Sequence, residues 1–330
     1  MTQALSSTPI PTTITTPQIH YTVAMPHPET HLFEVRLTLS NWTAPHLDLK
    51  FPVWTPGSYL VREYGRHLQD FSAENPQGHP LNWQKISKNH WQVETPNPTT
   101  LVIRYRIFAN ELTVRTNHLD ITHGYFNPAA LFFRVPGWEQ QAIAITIIPS
   151  KPDWHISTPL PAHPDQPQTF IAANFDELVD SPFEIGTHTL YDFDVLGKPH
   201  QFAIWGQGHV PIDRVLADTQ KIIETEAQLF GGVPYDRYLF LLHLAANSYG
   251  GLEHRMACSL IYSRFGLGTE EGYNKFMSLV AHEFFHLWNV KRIRPKGLEV
   301  FDYDQENYTD SLWFSEGTTS FYDLVIPFRA

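Results

Sequence analysis

From Gln18 to about Trp205 the chain is a series of short apolar and aromatic runs separated by Pro, Asn, Gly and Asp. Leu32–Leu39, Asn89–Glu94, Leu101–Ala109 and Ala142–Ile148 show partial alternation of apolar and polar positions, the period of a strand with one buried face. Many such strands, broken by regular turn signals, predict an all-β sandwich. Within it, Pro52–Tyr59 holds two prolines and a glycine. That segment reads as a turn or edge whose aromatic residues cap the core or face a second domain.

The period changes at Gly208. Ile212, Val215, Leu216, Ile222, Ile223 and Leu229 recur at helical spacing up to a Gly231-Gly232 stop, which predicts one long amphipathic helix. Tyr238–Ala245 is a continuous apolar run, as expected of a strand buried on both faces. A short strand is expected near Ser259–Ser263, and Met277–Val290 reads as a helix because Pro and Gly are missing from its apolar pattern. A last helix starts after Asp310 or Ser311, either of which suits an N-cap. The predicted fold is α+β and multidomain, with a disordered tail over residues 1–17, a β-sandwich over 18–207 and a second domain over 208–330. The tail is rich in Ser, Thr and Pro and lacks the basic start and apolar centre of a signal peptide.

Composition narrows the function. With 330 residues, 42% of them apolar, the chain can build two cores. Its longest apolar runs are too short to span a bilayer. A net charge of −11 argues against nucleic acid or an anionic membrane as partner. The single cysteine, Cys258, excludes an internal disulfide and fits a reducing compartment, so a cytoplasmic location is expected. In its Met-Ala-Cys-Ser-Leu-Ile setting, Cys258 reads as a small buried apolar residue.

The chemistry concentrates in His282-Glu283-Phe284-Phe285-His286. On a helix, residues four apart share a face, so His282 and His286 can hold one metal ion while Glu283 beside them accepts a proton from the attacking water. Catalytic zinc takes three protein ligands, and Glu316 is the candidate third. It is flanked by Trp313, Phe314 and Phe321 in a stretch expected to be largely buried, where a carboxylate needs a partner or a metal. Asp323, two turns further on, can orient a ligand or simply face solvent. The basic run Lys291-Arg292-Ile293-Arg294-Pro295-Lys296 follows the zinc helix, where cations complement the helix dipole.

Four segments together resemble the glycyl-aminopeptidase family of zinc metallopeptidases, whose members usually carry a C-terminal PDZ domain. They are Phe51–Tyr59, Tyr249-Gly-Gly-Leu-Glu-His-Arg255, Ala281–Pro295 and Leu312–Ser320. The resemblance implies Zn2+ at His282, His286 and Glu316, Glu283 as general base, and a thermolysin-like catalytic domain over 208–330. It also implies that Gly250 and Gly251 mark the sheet edge where a peptide substrate adds as a strand. Glu253 then binds the free N-terminal amine, with His254 a weaker candidate for the reaction centre. The implied activity is removal of one N-terminal residue, preferably Gly or Ala, from peptides. The competing expectation is a peptide-binding or scaffold protein with structural zinc or none, which gives no reason to retain Glu283.

Because the sequence stops at Ala330, the lower helical lobe and the PDZ domain of the family are expected to be absent, through fragmentation or natural truncation. The oxyanion donor is then unassigned, with Tyr308 and Tyr322 as the nearest substitutes. The helix bearing Glu316 is apolar around most of its circumference, so an exposed patch and self-association are expected.

Overall fold

The computed structural model describes residues 18–97 and 99–330. The tail expected at residues 1–17 lies outside the described residues. The first unit comprises β1 (Ile19–Ala24), β2 (Leu32–Trp42), β3 (His46–Lys50), β4 (Leu68–Glu74), β5 (Trp83–Ser87), β6 (His90–Glu94) and β7 (Thr99–Phe108). It continues with β8 (His118–Leu119), β9 (His123–Phe126), β10 (Ile143–Ile148), β11 (His155–Ser157), β12 (Thr169–Ala172), the short helix α1 (Phe175–Val179) and β13 (Phe183–Gly186).

These strands form sheets of six (β12-β10-β1-β2-β7-β4), four (β11-β13-β9-β8) and three (β3-β6-β5) strands. Val35, Leu37 and Leu39 of β2 are buried on one face with Phe33, as its alternation requires. The core centres on Phe133, against which Phe51, Trp91 and Tyr105 pack edge-on. Buried tyrosine hydroxyls are satisfied internally, Tyr21 donating to the Phe133 carbonyl at 2.6 Å and Tyr105 to that of Leu131 at 2.9 Å.

The second unit begins earlier than the sequence pattern placed it. β14 (Thr189–Val195) and β15 (Lys198–Trp205), expected in the sandwich, join β16 (Tyr238–Ala245), β17 (Tyr249–Glu253) and β18 (Ala257–Ser263) in a five-stranded sheet of order β14-β15-β16-β18-β17. The reason is pairing: β15 runs parallel to β16 with His200 opposite Tyr238, and a strand's alternation says nothing about which sheet it joins. The β-domain boundary at residue 207 is thus corrected to just after Gly186.

Helix α2 (Ile212–Phe230) ends at Gly231, whose φ of 81° is the left-handed conformation a glycine adopts freely. Helix α3 (Glu270–Phe285) starts before the expected Met277, because the Thr269 side chain caps it by accepting from Gly272 N–H. It also ends sooner, with His286 as its C-cap and the chain to Val290 outside the helix. Helix α4 (Leu312–Arg329) packs one side on α3. Its other side leaves Trp313 76%, Leu324 70% and Phe328 92% exposed, so the aromatic flanks of Glu316 are not the buried setting expected.

The two units interlock. Tyr303, from the loop before α4, lies in the core of the first unit, Trp54 donates its indole N–H to the Asp302 carbonyl at 2.7 Å, and Asp304 bridges Lys50 (2.6 Å) and Arg134 (2.8 Å). Buried Glu184 of β13 accepts from His123 Nδ1 of β9 (2.7 Å) and His243 Nε2 of β16 (2.8 Å). No helix among the described residues is long and apolar enough to cross a membrane.

Candidate metal centre and substrate edge

Helix α3 carries His282 and its C-cap carries His286, one turn apart. Their Nε2 atoms lie 3.1 Å from each other. Helix α4 brings Glu316 Oε2 to 3.6 Å from His282 Nε2 and 3.5 Å from His286 Nε2. A tetrahedral zinc with bonds of about 2.0–2.1 Å needs its ligands about 3.4 Å apart, so this triangle fits one zinc ion.

The hydrogen bonds behind the imidazoles fix which nitrogen faces the centre. His286 Nδ1 donates to the Asn289 carbonyl at 2.8 Å, and His282 Nδ1 donates to Asp323 Oδ2 at 2.7 Å. Both Nε2 lone pairs thus point into the same space, beside a carboxylate. Such a donor set requires a cation or a retained proton. Burial opposes a charge on His282, but Asp323, Glu316 and Glu283 outweigh it and hold its pKa up to about 10. Glu316, also penalised by burial, is drawn down to about 2 by the two histidines. Of the two readings of Asp323, the solvent-facing one is set aside: its carboxylate accepts from His282 on one oxygen and from Ser278 Oγ at 3.2 Å on the other.

Glu283 is buried beside the two histidines and faces β17. A Cβ on Gly251 would overlap its carboxylate. Gly251 therefore makes room for Glu283, which the sequence reading had not foreseen. Burial raises the Glu283 pKa to about 7 against the pull of His282 and His286, near the operating range of a general base. The edge position of β17 leaves one side of the strand without a sheet partner among the described residues, and Arg115 of the first unit donates to the Gly251 carbonyl there at 2.9 Å.

Glu253 closes β17 and is 4% exposed, with Oε1 lacking a hydrogen-bond partner among the described residues. His254 is not part of the metal cluster. Its Nδ1 donates to Asp180 Oδ1 at 3.2 Å, and the same carboxylate accepts from Lys291 Nζ (2.8 Å) and Arg255 N–H (2.9 Å). Burial works against the Asp180 carboxylate, yet Lys291 and His254 hold its pKa well below the usual range. Two members of the basic run are structural: Lys291 is spent on Asp180, and Arg292 donates to the carbonyls of Leu287 (2.7 Å) and Pro234 (2.9 Å). Tyr322 stacks on Phe285 and Tyr308 is exposed. Sequence reasoning missed Arg115 and Asp180, because each meets the site across long sequence separations with no local motif to mark it.

The M61 peptidase N-terminal domain model matches residues 20–187, and that of M61 glycyl aminopeptidase matches residues 275–330. The chain belongs to the M61 peptidase family. The crystal structure of an aminopeptidase N family protein from Idiomarina loihiensis is similar to this M61 chain at 35% identity and a TM-score of 0.89, over 92% of this chain and 53% of that one. The chain thus spans about half the length of that relative. An M1 zinc metallopeptidase from Deinococcus radiodurans shares the fold at 13% identity and a TM-score of 0.51, over 93% of this chain and 68% of that one. No curated protein matches the M61 chain.

Proposed function

We propose that this chain carries the active site of a zinc-dependent aminopeptidase. The observation that carries the proposal is the convergence of His282, His286 and Glu316 beside two buried carboxylates, Glu283 and Glu253. Zinc, when held by those three residues, supplies Lewis acidity for the scissile carbonyl. Glu283 takes the proton of the attacking water and passes it to the leaving amine. Glu253 binds the substrate ammonium by a charge-assisted hydrogen bond, and the outer edge of β17 aligns the peptide backbone near Gly250 and Gly251. Family membership supports a preference for an N-terminal Gly or Ala. The lone buried thiol of Cys258 supports a cytoplasmic location.

The test is hydrolysis of Gly- and Ala-anilides beside their N-acetyl forms by the zinc-loaded protein. Acetylated substrates should react at least about 100-fold more slowly, because they leave the Glu253 charge unpaired. Glu253→Gln should erase much of that discrimination, and Glu283→Gln should lower kcat by about 10²–10⁴-fold. Equal cleavage of free and acetylated substrates would indicate an endopeptidase, and full activity in Glu283→Gln would overturn the mechanism.

A further inference from the structure

We infer that the Pro56–Tyr59 loop of the first unit walls the subsite for the substrate's first residue, with Gly57 and Tyr59 limiting that residue to a small side chain. The inference rests on the aminopeptidase reading, which assigns the substrate amine to Glu253. Although 196 positions separate Gly57 from Glu253 in the chain, the Gly57 backbone lies directly against the Glu253 carboxylate. A Cβ there would come within 2.7 Å of Oε2 and closer still to Oε1, and a φ of 89° makes any other residue strained as well.

The loop is fixed on both sides and has little freedom to retreat. Ser58 N–H donates to the Thr55 carbonyl at 3.0 Å, and the Val53 carbonyl accepts from Arg62 N–H at 2.7 Å. Val53 N–H in turn donates to the Tyr303 carbonyl of the second unit at 2.9 Å. Arg62 Nη2 donates to Ser58 Oγ at 3.0 Å.

The cavity between this loop and Glu253, lined also by Lys291, Arg294, Leu298 and Phe301, has a volume of about 10 Å³. That is close to what one water-sized group needs, so a branched side chain does not fit. The unpartnered Glu253 Oε1 is the acceptor such a group would find. Tyr59 lines the same cavity beside Gly57 and Glu253.

The experiment is calorimetric titration of the zinc-loaded protein with glycine hydroxamate, leucine hydroxamate and acetohydroxamate, which needs no turnover. Wild type should favour glycine over leucine hydroxamate by about 100-fold, the scale on which a packed pocket discriminates. Tyr59→Ala should cut that ratio at least tenfold. Gly57→Ala should weaken glycine hydroxamate at least tenfold and leave acetohydroxamate, which has no amine, unchanged. A wild-type ratio retained in a Tyr59→Ala protein with normal circular dichroism and zinc content overturns the wall. Should that variant not fold, equal affinity of Gly57→Ala and wild type for glycine hydroxamate overturns it instead. Failure of the aminopeptidase reading looks different: acetohydroxamate would bind wild type as tightly as glycine hydroxamate.

Discussion

Asp323 is the residue at which local pattern and chemistry part company. On the helix alone it is one more polar position; in the structure it fixes the proton of His282 on Nδ1 and leaves Nε2 facing His286 and Glu316. Partners of this kind typically contribute 10–100-fold to metal affinity. Asp323→Ala should therefore weaken zinc binding by about 10–100-fold in competition with a chelator, whereas His286→Ala should abolish it. Unchanged affinity in Asp323→Ala would remove that residue from the site, and unchanged zinc content in His286→Ala would remove the site itself. The pair His282 and His286 was legible in the sequence because helical spacing is a local property. Asp180 and Arg115 were not, because each acts across the domain boundary.

At the scale of elements, β17 shows why a motif can be found for one reason and needed for another. The two glycines suggested close approach of a substrate backbone, yet Gly251 is required first by the Glu283 side chain of α3. Gly251→Ala should displace that carboxylate and lower kcat by at least about 100-fold, while zinc content stays at the wild-type level. A fully active Gly251→Ala protein would show that Glu283 tolerates the shift and is not held by the edge strand. Helix α2 and strand β16 were readable to within a residue or two, since each carries a strong period or a continuous apolar run. The start of α3 was hidden by Gly272, and its end by a turn at His286 that continues the same apolar spacing.

At the scale of the molecule, the Glu184 bridge ties the sandwich to the five-stranded sheet. Burial disfavours its charge, but His123 and His243 outweigh that and draw its pKa down to about 2. A folded-state pKa below the unfolded one gives stability that is fully present above about pH 4.5 and lost as the pH falls toward 2. Glu184→Gln should be less stable than wild type at pH 7 by on the order of 3 kcal/mol, the scale of a broken buried pair. The gap should narrow below about pH 4.5 in thermal unfolding followed from pH 7 to pH 2. A gap independent of pH would mean that packing at the interface, and not this charge, carries the effect.

The sequence by itself determined the elements and the chemistry they carry. Hydrophobic period specified most strands and helices, and the His282-Glu283-His286 spacing pointed to a candidate metal pair, because both depend on neighbours within a few turns. Only the tertiary structure decided which sheet β14 and β15 join, since pairing partners are chosen by register and burial between distant segments. It alone decided that Gly57 of the first unit meets Glu253 of the second, because packing brings together segments 196 positions apart that no local period relates.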